Sequence, residues 1–276
     1  EEALEIARSL AVGFALQASD RDINRVLPYD EIETLSQSGL FGISVPSEHG
    51  GIDISNSVLA EIIAILAGAD PSIAQILQTH FHVLEAVRTG GSEEQKSSLF
   101  ARVMAGDRFG SVSSDAGTGG AGQSDLQLTH DGLGYRLNGR SFHSASVLFS
   151  DWIVMFIADA VAVVPRNTEG VQIIDDWDHL GMRATCRHEV RFEEVLIPID
   201  HSVSVSPWSA PKPELDSEGL LWMSVLLPAV YDGVAQAARD WLVGFLEGRK
   251  PSNLGAPLSS LPRFQEVVGR IDTLLF

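Results

Sequence analysis

The hydrophobic period changes twice along the chain, and this limits the possible folds more than any other feature. In residues 1–105 apolar side chains recur every three to four positions. Leu4, Ala7, Leu10, Ala11 and Phe14 do so at the start, and Ile32 and Leu35 follow before a Gly39 stop. Residues 55–91 read as two long apolar helices separated near Asp70 and Pro71 and ended by Gly90 and Gly91. Ser92 with Gln95 three residues on is a capping box that opens another helix. Residues 106–205 switch to short β-rich runs: FGSVSS, GYRLNGRSFHS, WIVMFIA, AVAVVP, VQIIDDW and HEVRFEEVLIP. Within them LNGR reads as a turn joining two strands. At Asp159–Ala160 one strand ends and the next begins without turn residues, as if a loop were missing. After the proline-rich connector PWSAPKPELD the helical period returns. The last helix stops mid-pattern on an apolar Phe276, so more helix is expected after it.

The fold class read from this order is α+β and multi-domain. An all-helical N-terminal domain covers 1–105, a β-sheet, barrel-like middle domain covers 106–205, and 206–276 form the first part of a C-terminal helical bundle. The 276 residues suffice for that many cores. A net charge of −18 argues against nucleic acid and anionic membrane as partners, since both are polyanions. The single cysteine, Cys186, allows no intrachain disulfide and suits a reducing compartment. No apolar run is long enough to span a membrane, and EEALEIARSL lacks a signal-peptide layout, so a cytoplasmic protein is expected.

The chemistry-bearing motifs are few. No Gly-x-Gly-x-x-Gly follows a strand, and no Walker lysine, Gly-x-Ser-x-Gly elbow or Cys/His metal spacing appears. The His-x-His of THFHVLEAV has no further ligand at helical spacing, so no metal is expected. His80 sits on an otherwise apolar helix and is either a satisfied core histidine or a hydrogen-bond donor to a ligand; His82, about 200° around the helix, cannot face the same site. The run FGSVSSDAGTGGAGQSDLQL, rich in Gly and Ser, fits a phosphate cradle, a linker or a cofactor-facing loop equally well.

Several stretches together resemble the acyl-CoA dehydrogenase superfamily. SGLFGISVPSEHGG resembles its N-terminal signature, and EEQKSSLFARVMAGDRFGSVSSD the helix and strand before its flavin loop. YRLNGRSFHSAS resembles the strand pair that lies against the isoalloxazine. LGMRATCRHEVRFEEVLIP resembles the Gly-x-Arg-x-Thr segment and the strand after it. GRKPSNLGAPLSSLPRFQ resembles an Arg…Phe-Gly-x-Pro-Leu segment, with Leu254 in the Phe place. The Gly-rich run stands where the family keeps a flavin loop, with Ser114 for its Thr and Asp115 for its Glu. Two stretches, ILQTHFHVLEAVRTGG and FHSASVLFSDWI, resemble a side branch of flavin monooxygenases of the dibenzothiophene-monooxygenase and sulfur-acquisition type.

That resemblance implies a flavin cofactor, FAD or FMN, delivered reduced by a separate flavin reductase and used with O2 on a small organic substrate. It implies His80 and Ser144 as catalytic, and Ser113, Ser114, His143 and Arg249 at the flavin, Arg249 reaching a neighbouring subunit's cofactor phosphates. Arg183 would bind substrate, a surface salt bridge being the competing role. Ala145 stands at a usual hydroxyl position, so Ser144 or Ser146 supplies the hydroxyl. A homodimer or homotetramer on the C-terminal helices is implied too. The alternative is an FAD-dependent acyl-CoA dehydrogenase whose carboxylate base lies on a C-terminal helix these residues do not reach. A third is a non-catalytic binding or assembly member of the superfamily.

Overall fold

In the computed structural model the described residues are 1–113, 125–130, 132, 134–144, 146–157, 160–198, 206–207 and 217–275. Six helices come first: α1 (Glu2–Ala15), α2 (Ala18–Asn24), α3 (Tyr29–Gln37), α4 (Asn56–Ala69), α5 (Pro71–Gly90) and α6 (Glu93–Met104). The corner between α4 and α5 is where the sequence places it. Asp70 is extended and caps α5, accepting from the backbone N–H of Ser72 at 2.9 Å and of Ile73 at 3.3 Å. Pro71 occupies the first turn, where a missing N–H costs nothing. The expected capping box of α6 is present: Gln95 N–H donates to Ser92 Oγ at 3.2 Å and Ser92 N–H to Gln95 Oε1 at 2.8 Å.

The same Asp70 ties the helices together. Its Oδ2 accepts from Arg21 Nε at 3.0 Å and Nη2 at 2.9 Å. Arg21 also donates through Nη1 to Glu31 at 2.6 Å and through Nη2 to the Phe14 carbonyl. Arg21 is only 3% exposed, so each donor needs its acceptor. Around this knot Leu59, Ile62 and Leu66 of α4 and Ile73, Leu77 and Phe81 of α5 form the centre of the helical core.

Among the described residues eight strands follow: β1 (Phe109–Ser113), β2 (Gln127–His130), β3 (Gly134–Ser144), β4 (Trp152–Ile157), β5 (Ala160–Pro165), β6 (Val171–Ile174), β7 (His188–Pro198) and β8 (Ser206–Pro207). They form two sheets, ordered β1-β4-β5-β8 and β2-β3-β7-β6. Val112, Met155 and Ala162 of the first meet Leu137, Val190 and Phe192 of the second in one core. The described strands thus make two facing sheets and not a closed barrel. The chain crosses between them after β3, where Ser146 at φ 61° leads through the tight helical turn Val147–Phe149 into β4. Two local readings change. LNGR is no turn: Asn138 and Gly139 lie inside β3, Asn138 pairs with Gln127, and Gly139 at φ 123° marks a register shift against β7. A Cβ on Gly139 would lie 1.9 Å from the Asp125 carbonyl oxygen. At the junction thought to lack a loop, β4 and β5 pair directly as an antiparallel hairpin, Ile157 opposite Ala160.

Helix α7 (Ser217–Gly248) runs 32 residues with Pro228 inside it, and α8 (Pro262–Leu275) packs on it through Arg239, whose guanidinium meets Asp272 at 2.7 and 3.1 Å. The connector, whose residues 208–216 are not described, lies before α7. α7 crosses α4 at a seam of small residues. There Gly233 approaches so closely that a Cβ would sit 2.1 Å from the Ala64 carbonyl oxygen. Gly233→Ala is therefore expected to lower unfolding stability by about 1–3 kcal/mol in urea melts, the cost of overpacking a tight contact. Gly244→Ala, on the same helix with nothing within 4 Å, is the control and should leave stability level or raise it by about 1 kcal/mol.

Candidate functional site

His80 lies on the buried face of α5 and is 1% exposed. Its Nδ1 accepts from the Phe109 N–H of β1 at 3.0 Å, and its Nε2 lies 3.1 Å from the Phe41 carbonyl oxygen. That pair of partners requires a neutral ring protonated at Nε2. The ring also meets Phe41 edge-on at 4.9 Å between centroids. Burial drives its pKa from 6.5 down to about 3, against a smaller opposing contribution from the bond to Phe41. The structure places His80 as a staple between helix and strand, where the sequence offered a core histidine or a donor to a ligand. Both nitrogens hold backbone, and neither is left to offer a ligand in this geometry.

Polar atoms without partners gather elsewhere. Ser144 Oγ, Arg183 Nε, Arg187 Nε and both ring nitrogens of His188 are buried and lack a hydrogen bond, as are Arg25 Nε, Ser44 Oγ, His49 Nε2 and Arg102 Nε at other places in the fold. The first five belong to the end of β3, the start of β7 or the turn just before β7. Native structures rarely leave such atoms orphaned, because each costs roughly 1–3 kcal/mol.

The local backbone explains the clustering. Ser144 and His188 are in-register neighbours across β3 and β7, so their side chains share one face of the sheet. They are 0% and 1% exposed. His188 Nδ1 lies 3.7 Å from Asp175 and 3.8 Å from Asp176, too long for a direct hydrogen bond. Burial lowers the His188 pKa; Asp175 and Asp176 push it back up and Arg25 adds to the lowering. Before β7 the tight turn Arg183–Thr185 is flanked by Met182 at φ 52° and Cys186 at φ 53°. Ser146, at φ 61° just after β3, is another left-handed non-glycine residue. The turn is held by Thr185 Oγ1 donating to the Met182 carbonyl at 2.8 Å and by Arg183 N–H donating to Asp22 at 2.8 Å. Arg187 makes no ion pair among the described residues, and burial pulls its guanidinium pKa down, against a smaller opposing contribution from Tyr231 on α7. The Cys186 thiol is pushed up to about 12 by burial, which leaves it protonated and unreactive.

The other expected site residues fall as follows. Ser113 ends β1 opposite Phe156, and His143 is a β3 position; only their backbones are described. Ser114 and Asp115, with the Gly-rich run 114–124, and Ala145 lie outside the described residues. Ser146 Oγ donates to the Ile76 carbonyl at 3.3 Å, so the patch abuts α5 one turn from His80. The Arg183 guanidinium reaches the exposed Asp178 at 3.4 Å, the surface pairing weighed against a substrate role. Arg249 follows α7, exposed, eighteen residues or about 27 Å along the helix from Tyr231. The structure pairs Ser144 with His188 across β3 and β7 and keeps Arg183 and Arg187 in the segment just before β7, while Arg249 stands apart. The signal for His188 was present in HEVRFEEVLIP: it shares strand parity with Val190 and Phe192, which puts an imidazole on a buried face. Among the described residues no group of three or more His, Cys, Asp or Glu could hold a metal ion.

Comparison with known proteins bears on what this patch receives. Residues 4–107 match the acyl-CoA dehydrogenase N-terminal domain family. A putative acyl-CoA dehydrogenase, YdbM of Bacillus subtilis, is 28% identical over 275 residues, covering 95% of this chain and 70% of that protein. L-evernosamine nitrososynthase of a Micromonospora species is 31% identical over 278 residues, covering 94% of this chain and 63% of that protein. Among solved structures, FMN-bound TdsC of Paenibacillus sp. A11-2 superposes with a TM-score of 0.87 at 24% identity, over 100% of this chain and 73% of its own. KijD3 bound to FMN and a dTDP-sugar superposes at 0.82 with 27% identity, over 99% of this chain and 68% of its own.

The staple role of His80 has a pH signature. Its folded pKa, about 3, lies below its ordinary 6.5. Its contribution is therefore complete above pH 6.5 and is lost as pH falls from 6.5 towards 3, by up to about 1.4 kcal/mol per pH unit. His80→Leu should cost about 2 kcal/mol at pH 7, because the Phe109 N–H is left buried and unpaired, and should flatten that acid slope in urea melts. Unchanged stability with lost flavin-dependent turnover would instead return the ring to a ligand.

Proposed function

We propose, for a chain that belongs by its N-terminal domain and its fold to the acyl-CoA dehydrogenase superfamily, a flavin-dependent oxidoreductase, and within that class a monooxygenase. The observation that carries it is the likeness over 99% of the chain to KijD3, which holds FMN; the polar groups of the chain weighed against a flavin ring edge are those of Ser144, Arg187 and His188. A flavin ring edge carries N–H and C=O groups side by side. A hydroxyl and a neutral imidazole can each donate or accept, and a guanidinium donates, so these residues fit it. Proteins of like fold and sequence hold FMN, and dibenzothiophene monooxygenases of Rhodococcus are among the relatives, at 28% identity over 85% of this chain and 60% of theirs.

In this reading Ser144 and His188 meet the flavin ring, with Ser113, Ser114 and His143 at its margin. Arg249 serves a cofactor phosphate of a neighbouring subunit. The flavin, FMN or FAD, supplies two electrons and the site at which O2 is activated. The chain supplies position and dryness: at 0–1% exposure the Ser144–His188 patch admits little bulk water. Arg187 and Arg183 orient a small organic substrate. A separate flavin reductase provides the reduced cofactor in the cytoplasm. Tyr231, Trp241 and Phe245 on α7 and Leu274 on α8 are exposed, which suits burial in a homodimer or homotetramer. The alternative, an acyl-CoA dehydrogenase, is kept in view by the likeness to YdbM over 95% of the chain.

Two measurements test this. The protein should bind reduced flavin more tightly than oxidised flavin, and flavin-loaded protein should keep its colour in anaerobic titration with a panel of acyl-CoA esters. Rapid bleaching by any of them selects the dehydrogenase. Light scattering at micromolar concentration should give a dimer or tetramer, and a monomer would overturn the assembly on α7 and α8.

A further inference from the structure

Six non-glycine residues among those described hold a positive φ, and three of them meet where α2 packs on the turn Arg183–Thr185. They are Arg25 at the end of α2, and Met182 and Cys186 on either side of the turn. A non-glycine residue takes up this backbone region only where its surroundings force it there.

The two sides of the contact are built differently. α2 is fixed. Arg21, in its middle, donates to Asp70, Glu31 and the Phe14 carbonyl, so the helix cannot shift without stranding a buried charge. The turn is held less firmly. Its buried residues, Ala184, Thr185 and Cys186, are small and remove little apolar area from water. Thr185 Oγ1 and Trp177 Nε1 donate to the Met182 carbonyl, bonds that stay within the same segment. The polar ties to the fixed helix are two. Arg183 N–H donates to Asp22 Oδ1 at 2.8 Å, and Arg25 pairs with the exposed Asp175. Asp22 follows Arg21 directly, so its carboxylate is anchored with the helix.

The closed turn also carries costs that opening would remove. Met182 and Cys186 could leave the left-handed region. Arg183 Nε and Arg187 Nε, buried without partners, would meet water. So would His188, whose ring comes no nearer than 3.7 and 3.8 Å to Asp175 and Asp176. A segment with strained backbone, few apolar contacts and unsatisfied polar groups opens far more readily than the core around it.

We infer that the segment 182–188 is a gate and α2 its latch: the segment opens as a unit while the helical core stays folded, and the bond from Arg183 N–H to Asp22 holds it shut. Closed, it seals the ends of β3 and β7, where Ser144 and His188 are 0% and 1% exposed. Open, it admits solvent to them. The gate does not depend on the flavin reading, and its failure would leave that reading untouched.

Cys186 reports on the gate directly. It is the only cysteine of the chain and is 0% exposed, and burial pushes its thiol up to about 12, so it cannot react while the segment is closed. Its labelling by excess dithiobis(nitrobenzoate) is followed through the coloured thiolate released, and global unfolding through far-UV circular dichroism in urea. Without urea, wild-type labelling should run roughly 10²-fold faster than global unfolding allows, and should change little with urea up to the onset of unfolding. Asp22→Ala, which removes the latch acceptor, should speed labelling about tenfold. Met182→Gly, which fits a left-handed position without strain, should slow it roughly fivefold. Gly233→Ala, which weakens the distant α4–α7 seam, should leave it within about twofold of wild type. Labelling that rises with urea as steeply as global unfolding, or that quickens in Gly233→Ala in step with its lost stability, overturns the gate. Unchanged labelling in Asp22→Ala overturns the latch. If Asp22→Ala fails to fold, unchanged or faster labelling in Met182→Gly overturns the proposal.

Discussion

A neutral imidazole bolts the helices to the sheets. His80 holds the Phe41 carbonyl with one nitrogen and the Phe109 N–H with the other, so the turn after α3, the middle of α5 and the first strand meet at one ring. The rest of the site is positioned from there. β1 pairs in parallel with β4, the chain reaches β4 from β3 through Ser146, and Ser146 returns a hydrogen bond to α5 one turn from His80. The loop of contacts closes on itself, which sets the end of β3, and with it Ser144, at a fixed height above α5.

The second device is the buried arginine. Arg21 satisfies its donors on Asp70, Glu31 and the Phe14 carbonyl, and Asp70 simultaneously caps α5. Removing either partner would strand a charge in the core, a loss of about 3–5 kcal/mol. The cluster therefore matters less as a source of stability than as a device that makes one arrangement of α1 to α5 much better than its neighbours. The seam of Gly233 on Ala64 does the corresponding work for α7, bringing backbone against backbone where any side chain would hold the helices apart.

Against these satisfied groups, the unsatisfied ones stand out. The chain spends hydrogen bonds freely on its structural histidine and its structural arginine, then leaves Ser144, Arg187 and His188 bare in a dry, strained corner. Stability alone gives no reason for that contrast. The left-handed residues on both sides of the turn before β7 add a local backbone cost.

Much of this was legible in the order of residues. The helical period, the Asp70–Pro71 break, the Ser92–Gln95 capping box and the whole of HEVRFEEVLIP as one strand are local, and local rules read them correctly. LNGR was misread because a turn and a bulge use the same residues, and only the carbonyl of Asp125 pressed against Gly139 distinguishes them. The sequence by itself determined which segments are helix and strand and which of their faces are apolar, because periodicity and capping act within a few residues. Only the tertiary structure decided which of the buried histidines is a bolt and which is bare. That difference lies in whether backbone from a distant segment reaches the ring: Phe41 and Phe109 lie 39 and 29 residues from His80, and nothing comparable reaches His188.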